Sequence, residues 1–93
     1  MYRIIDGRGT GKTSRLMLLA KENNAIFVCN DPHCMEIKAL SYGITGIQFV
    51  SYYDYLRFNY DTNKENVVVD ELEALLKCIF NGHLVGYTLS TDD

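Results

Sequence analysis

Eight residues near the start of the chain constrain its fold more than any other segment. Residues 6–13 read Asp-Gly-Arg-Gly-Thr-Gly-Lys-Thr, and the glycines permit a tight turn whose backbone N–H groups can closely approach an anion. Residues 2–5 before this loop predict a short buried strand, and residues 15–20 after it predict a helix with an apolar face. Strand, glycine loop and helix in this order are the context in which such a loop binds phosphate, so we expect a phosphate site here.

Within this loop each residue type serves a chemical purpose. Lys12 would reach the β- and γ-phosphates of a nucleotide, where it binds and assists catalysis, and the Thr13 hydroxyl would ligate Mg²⁺. Asp6 departs from the usual pattern because it replaces the first glycine and brings a carboxylate close to the phosphates. A strand-to-helix turn without a ligand is the structural alternative, which the flanking patterns disfavour. The predicted nucleotide-binding residues are Gly7, Arg8, Gly9, Thr10, Gly11, Lys12 and Thr13.

Strand and helix patterns alternate along the rest of the chain, and no linker interrupts them. Apolar runs predict further strands at residues 25–29, 47–50, 67–69 and 84–89. Helices are predicted to follow at residues 32–43, 52–58 and 72–80, and the polar residues 59–66 predict an exposed loop. This alternation favours one α/β domain over residues 1–93, with a mostly parallel sheet between layers of helices.

Local signals support the ends of these helices. Asp31 can cap the helix in which Pro32 takes the first position, and Ser51 can cap the short helix at 52–58. The helix that begins at Pro32 carries an apolar side and stops near Gly43, whereas Asn81-Gly82 ends the amphipathic helix at 72–80. The residues on the apolar side of the Pro32 helix are Cys34, Ile37 and Leu40.

A second motif, Val67-Val68-Val69-Asp70-Glu71, supplies acidic residues. Ligands of a parallel sheet lie at the carboxyl ends of its strands, so Asp70 is placed to hold Mg²⁺ and Glu71 to orient or deprotonate a water molecule. Acidic residues also open helices for purely electrostatic reasons, which is the structural alternative. Because the motif lies downstream of a phosphate-binding loop, we favour Glu71 as a catalytic residue.

Composition limits the classes of function. No apolar run approaches the 18 residues of a membrane span, and neither a membrane partner nor a signal peptide is predicted. The 3 cysteines predict free thiols in a reducing cytoplasm. A net charge of −3 gives no general attraction for nucleic acid, although it leaves room for a local basic patch.

Two other groups of residues carry weaker signals. The irregular spacing of the cysteines and histidines favours buried thiols and surface histidines over a metal site; they are Cys29, His33, Cys34, Cys78 and His83. An aromatic run has few interleaved cations, which favours core packing or a protein interface over stacking of nucleic-acid bases; it comprises Tyr52, Tyr53, Tyr55, Phe58 and Tyr60.

The two nucleotide motifs resemble those of P-loop NTPases with an added catalytic glutamate, especially superfamily 1 helicase motor domains and phage terminase large subunits. Residues 27–30 and 47–56 are weakly similar to the helicase segments around the second and third strands. The resemblance implies a minimal RecA-like fold, with a Walker A-like loop at 6–13 and a Walker B-like motif at 67–71. It also implies that Ser90 and Thr91 are candidate sensors of the γ-phosphate.

The resemblance further implies ATP and Mg²⁺ as ligands and leaves two functions open. Those motors are longer than this chain, in which we expect no second lobe to supply an arginine finger; Arg8 and Arg57 are the nearby substitutes. One function is ATP binding with slow Mg²⁺-dependent hydrolysis that needs self-assembly or a protein partner. The alternative is a P-loop protein without hydrolysis, encoded by a phage or mobile element, which acts as an interaction or inhibitor protein in the host cytoplasm.

Overall fold

Three parallel strands form the sheet of this protein, for which a computed structural model describes residues 11–58, 60 and 66–88. The strands are β1 (Ile26–Cys29), β2 (Gln48–Ser51) and β3 (Val67–Val69), and their order across the sheet is β2-β1-β3. β1 is therefore central, with Phe27 opposite Phe49 on one side and opposite Val68 on the other. The three strand predictions at 25–29, 47–50 and 67–69 are confirmed to within one residue at each end.

Four helices connect and flank these strands. They are α1 (Lys12–Glu22), α2 (Pro32–Ser41), α3 (Tyr52–Leu56) and α4 (Leu72–Ile79). The Asp31 carboxylate accepts a hydrogen bond from the Cys34 N–H at 3.2 Å, and the Ser51 hydroxyl accepts one from the Asp54 N–H at 3.0 Å. Both predicted caps are thus confirmed, because each side chain satisfies a first-turn N–H that the helix itself leaves without a partner.

Side chains alternate along β1 and supply the core on both faces of the sheet. One face carries Phe27 and Cys29, which pack with Met17 and Ala20 of α1 and with Ala39 of α2. On the opposite face, the buried residues are Ile26, Val28, Val50 and Tyr52, against which the half-buried Ala74 and Leu75 of α4 pack. A parallel sheet covered on both faces explains why β1 is apolar at every position. The predicted α/β class is confirmed in this form.

Two expectations need correction. Residues 84–88, predicted as part of a last strand, form neither strand nor helix. The segment runs beside α4, where the Tyr87 hydroxyl donates a hydrogen bond to the Glu73 carboxylate at 2.6 Å, and the Val85 side chain is 96% exposed. An apolar run becomes a strand only when a sheet edge supplies its hydrogen bonds, and none of the three described strands pairs with this segment.

The second correction concerns α2, whose predicted apolar side faces solvent. Cys34, Ile37 and Leu40 are all exposed, whereas Ala39 is buried and Met35 packs against the core. The helix therefore presents Ala39 and Met35 to the core around β1. The two faces of α2 are both partly apolar, so periodicity alone could not distinguish them.

Some predictions fall on residues that the structure does not describe. They are the first strand at 2–5, the loop up to Thr10, residues 59 and 61–65 of the polar segment, and residues 89–93. Within the described ranges, no helix is long and apolar enough to cross a bilayer.

Candidate functional site

The N-terminus of α1 provides the first part of the candidate site. Gly11 precedes the helix with φ 77° and ψ 18°, a left-handed conformation that glycine adopts without strain. The Gly11 carbonyl accepts a hydrogen bond from the Ser14 hydroxyl at 2.9 Å and another from the Arg15 N–H at 3.1 Å. No side chain of the described residues caps this helix, and its first turn contains no acidic residue. Its positive end therefore remains suited to an anion.

Lys12 and Glu71 meet across the site. The Lys12 Nζ lies 3.1 Å from the Glu71 Oε1, so an ion pair links the start of α1 to the residue that follows β3 by two positions. The Lys12 side chain is 26% exposed and the Glu71 side chain 56% exposed, so water can reach both. Two motifs that are distant in the sequence are thus brought into direct contact.

Asp70 lies between β3 and Glu71 and has a different environment. Only 9% of this residue is exposed, and its N–H donates to the Val28 carbonyl at 2.9 Å, which continues the pairing between β3 and β1. Burial raises the pKa of the Asp70 carboxyl above its ordinary value, and the neighbouring Glu71 raises it further, while Lys12 and Lys38 oppose the shift. A cation in addition to Lys12 and Lys38 would therefore be electrostatically favourable near Asp70.

The Tyr52 hydroxyl contacts the backbone of the turn formed by Asp70 and Glu71. It donates a hydrogen bond to the Asp70 carbonyl at 2.5 Å and lies 3.3 Å from the Glu71 carbonyl, while the residue is only 3% exposed. Desolvation raises the pKa of the Tyr52 phenol to about 12, with Asp70 as the next cause, so the hydroxyl keeps its proton for donation. The sequence pattern did not predict this role, because Tyr52 follows β2, which is separated from β3 in the sheet by β1.

Asp70 and Thr13 carry oxygen atoms of the kind that Mg²⁺ prefers. This cation is typically held in nucleotide sites by one or two carboxylates together with substrate phosphates, rather than by a cage made of protein alone. Asp70 supplies a carboxylate, and Thr13 supplies a hydroxyl from the first turn of α1. Among the described residues, no group of three or more potential metal ligands occurs, which also gives the cysteines and histidines no common site.

The remaining predicted residues divide into two groups. Gly11, Lys12, Thr13, Asp70 and Glu71 lie at the carboxyl edge of the sheet or the start of α1. The residues outside the described ranges are Asp6, Gly7, Arg8, Gly9, Thr10, Ser90 and Thr91. Arg57, one of the substitutes for an arginine finger, lies over the Tyr53 ring at 4.0 Å from its centroid.

Some of the thiols and aromatic residues lie in the core and others lie on the surface. Cys29 is fully buried, and desolvation raises its pKa to about 12, whereas Cys34 and Cys78 are exposed; all 3 thiols are free. In the aromatic run, Tyr52 belongs to the core and Tyr55 stacks on Tyr60 with centroids 4.8 Å apart. Phe58, at the end of the run, is 75% exposed.

Comparison with known proteins leaves the assignment to the site itself. Neither a protein-family model, a curated protein nor a solved structure matches this chain.

Proposed function

We propose that this chain binds a nucleoside triphosphate, with ATP as the reference ligand, together with Mg²⁺ in a minimal RecA-like P-loop arrangement. The observation that carries the proposal is the contact between Lys12 at the start of α1 and Glu71 after β3. The sequence motifs assign phosphate to the first residue and water activation to the second. Their meeting at the carboxyl edge of a parallel sheet supports the proposal, because ligands of open parallel sheets bind at this edge.

The chain's own groups then have distinct tasks. Backbone N–H groups at the start of α1 would bind phosphate oxygens, and the Lys12 ammonium would contact the β- and γ-phosphates. Thr13 and Asp70 would hold Mg²⁺, which neutralises phosphate charge when bound. Glu71 would orient a water molecule and accept its proton. Candidate γ-phosphate sensors at Ser90 and Thr91 complete the proposal.

Calorimetric titration with ATP, with and without Mg²⁺, tests this function. Lys12→Ala should reduce binding below detection, because a hydrogen bond from a charged donor contributes about 1.5–3 kcal/mol and its loss leaves Glu71 unpaired near the phosphates. Lys21→Ala is the matched control, since Lys21 is an exposed lysine in the last turn of the same helix. Its affinity for ATP should equal that of the wild type.

Thermal unfolding must show that both variants remain folded. A rise in the Tm of the wild type with millimolar ATP, absent from Lys12→Ala, would support the same conclusion because a ligand stabilises the state that it binds. Equal ATP affinity in the wild type and in Lys12→Ala would refute the assignment of Lys12. Absence of any calorimetric signal from the wild type would refute the proposed function.

A further inference from the structure

We infer that Glu71 serves as an internal substitute for phosphate. In the nucleotide-free protein its carboxylate pairs with the Lys12 ammonium, and an incoming anion must displace that carboxylate. This inference rests on the proposed function and concerns the regulation of the same site. Its basis is the ion pair between these two side chains, whose Nζ and Oε1 atoms lie 3.1 Å apart. Lys12 thus has an anionic partner within the chain itself.

The backbone holds Glu71 in a conformation that requires support. Its φ of 56° and ψ of 68° are left-handed, which a non-glycine residue adopts at an energetic cost. Such a conformation persists when surrounding contacts determine it. The Glu71 carbonyl accepts hydrogen bonds from the Ala74 N–H at 2.9 Å and the Leu75 N–H at 3.4 Å, and two further contacts involve other elements. The ion pair with Lys12 holds the side chain, and the Tyr52 hydroxyl lies within 3.3 Å of the Glu71 carbonyl while donating to the Asp70 carbonyl.

The exposure of the pair makes it suitable for displacement. With 26% of Lys12 and 56% of Glu71 exposed, water screens the attraction, and pairs of this kind hold their partners only weakly. A triphosphate carries several charges and also meets the N-terminus of α1, so it can compete successfully for Lys12. After displacement, the Glu71 carboxylate is released toward the position in which it would orient water.

Anion binding measured without Mg²⁺ isolates this competition from any role of Asp70. Inorganic triphosphate and ATP serve as probes in calorimetric titrations at low and high salt. Glu71→Gln should bind both probes about two- to fivefold more tightly than the wild type at low salt, the range expected for loss of a partly exposed pair. The gain should shrink at high salt, because salt screens exposed charges.

Glu73→Gln is the matched control for net charge. Glu73 lies in the first turn of α4, two residues from Glu71, and its carboxylate accepts a hydrogen bond from Tyr87 rather than contacting Lys12. This variant should bind both probes with the affinity of the wild type. An equal gain in Glu71→Gln and Glu73→Gln would show a general charge effect and would overturn the inference.

Tyr52→Phe provides a second variant that changes no charge at neutral pH. Loss of the hydroxyl loosens the turn that presents Glu71, so anion binding should again tighten, by less than in Glu71→Gln. The gains should not add in the double variant, because both substitutions release the same contact. Full additivity would mean that Tyr52 acts independently of the ion pair.

Stability separates this inference from the proposed function. A double-mutant cycle of Lys12→Met and Glu71→Gln, followed by urea unfolding without ligand, measures the coupling between the two side chains. Favourable coupling without anion binding in any variant would refute the proposed function, and with it the displacement. Normal anion binding in the wild type, with no coupling and no gain in Glu71→Gln, would refute the inference alone.

Discussion

Asp70 shows at the scale of one residue how a site can oppose the stability of its own fold. Its carboxyl is nine-tenths buried, and the next residue in the chain is a second acid. Burial and Glu71 both raise the pKa of Asp70, so folding disfavours its ionised form relative to the unfolded chain. A buried carboxylate without a strong cationic partner costs stability, and such costs are common where a residue is kept for binding.

This environment predicts that Asp70→Asn stabilises the nucleotide-free protein at pH 7. Because the pKa of Asp70 is raised on folding, the stability linked to its proton is fully present below the unfolded pKa of about 3.9. It is lost as the pH rises through the folded pKa. Asparagine is neutral throughout, so the free energy of unfolding at pH 7 should rise by roughly 0.5–2 kcal/mol.

Urea unfolding at pH 7 and near pH 3.5 checks this prediction. The advantage of Asp70→Asn should diminish at the lower pH, where the carboxyl of the wild type becomes protonated. Glu36→Gln removes an exposed acid on α2 and should change stability little at either pH. A wild type more stable than Asp70→Asn at pH 7 would show that the ionised carboxylate is not a cost.

Residues within short motifs could be predicted, whereas residues that act across the sheet could not. Lys12, Asp70 and Glu71 belong to short motifs of consecutive residues, which can be recognised in the sequence. The contact between the Tyr52 hydroxyl and the Asp70 carbonyl depends on how β2, β1 and β3 are ordered. The sequence contains the residues of that contact but not the strand order that brings them together.

At the scale of elements, β1 has the strongest influence on the fold. It pairs with both other strands, and all four of its residues are buried. The same burial explains why this strand was predictable, since a central parallel strand is apolar at every position. The segment at 84–88 is also partly apolar, yet it forms no strand and contacts α4 through the Tyr87 hydroxyl, which periodicity does not encode.

The central position of β1 predicts that Phe27 is sensitive to small changes of shape. Phe27 is fully buried and makes an edge contact with Phe49, with centroids 5.1 Å apart. Phe27→Leu should lower the free energy of unfolding by about 1–1.5 kcal/mol, because the smaller side chain leaves space and loses the ring contact. Phe58→Leu makes the same change at a side chain that is 75% exposed and should have little effect. Equal losses in urea unfolding would contradict the assignment of β1 as the core.

At the scale of the whole molecule, two helix layers on a parallel sheet bring the start of α1 and the acidic motif to one edge. Alternation of strand and helix patterns predicted this layering because each element must bury its apolar face against another layer. Lys12 lies at the start of α1, which leads into β1, and Glu71 follows the carboxyl end of β3, which is parallel to β1; the ion pair joins these two positions. The remaining question at this scale is whether one copy of the molecule suffices for catalysis.

We predict that hydrolysis, where it occurs, is slow in the isolated chain and rises with protein concentration or with an added protein partner. Arg57 is stacked on Tyr53, and a contact from an arginine finger is worth 10³–10⁵ in turnover in related chemistry. Phosphate release by the dilute protein should therefore stay below about one turnover per second, near the low end of ordinary enzymes.

Steady-state phosphate release at increasing protein concentration, beside light scattering for assembly, measures this dependence. Glu71→Gln should remove the activity while it retains nucleotide binding, because the amide preserves the shape but cannot accept the proton. Faster turnover by a dilute monomer, or full activity in Glu71→Gln, would contradict the prediction. Tight ATP binding without hydrolysis at any concentration would instead favour the binding protein, in which the same edge of the sheet responds to nucleotide but performs no chemistry.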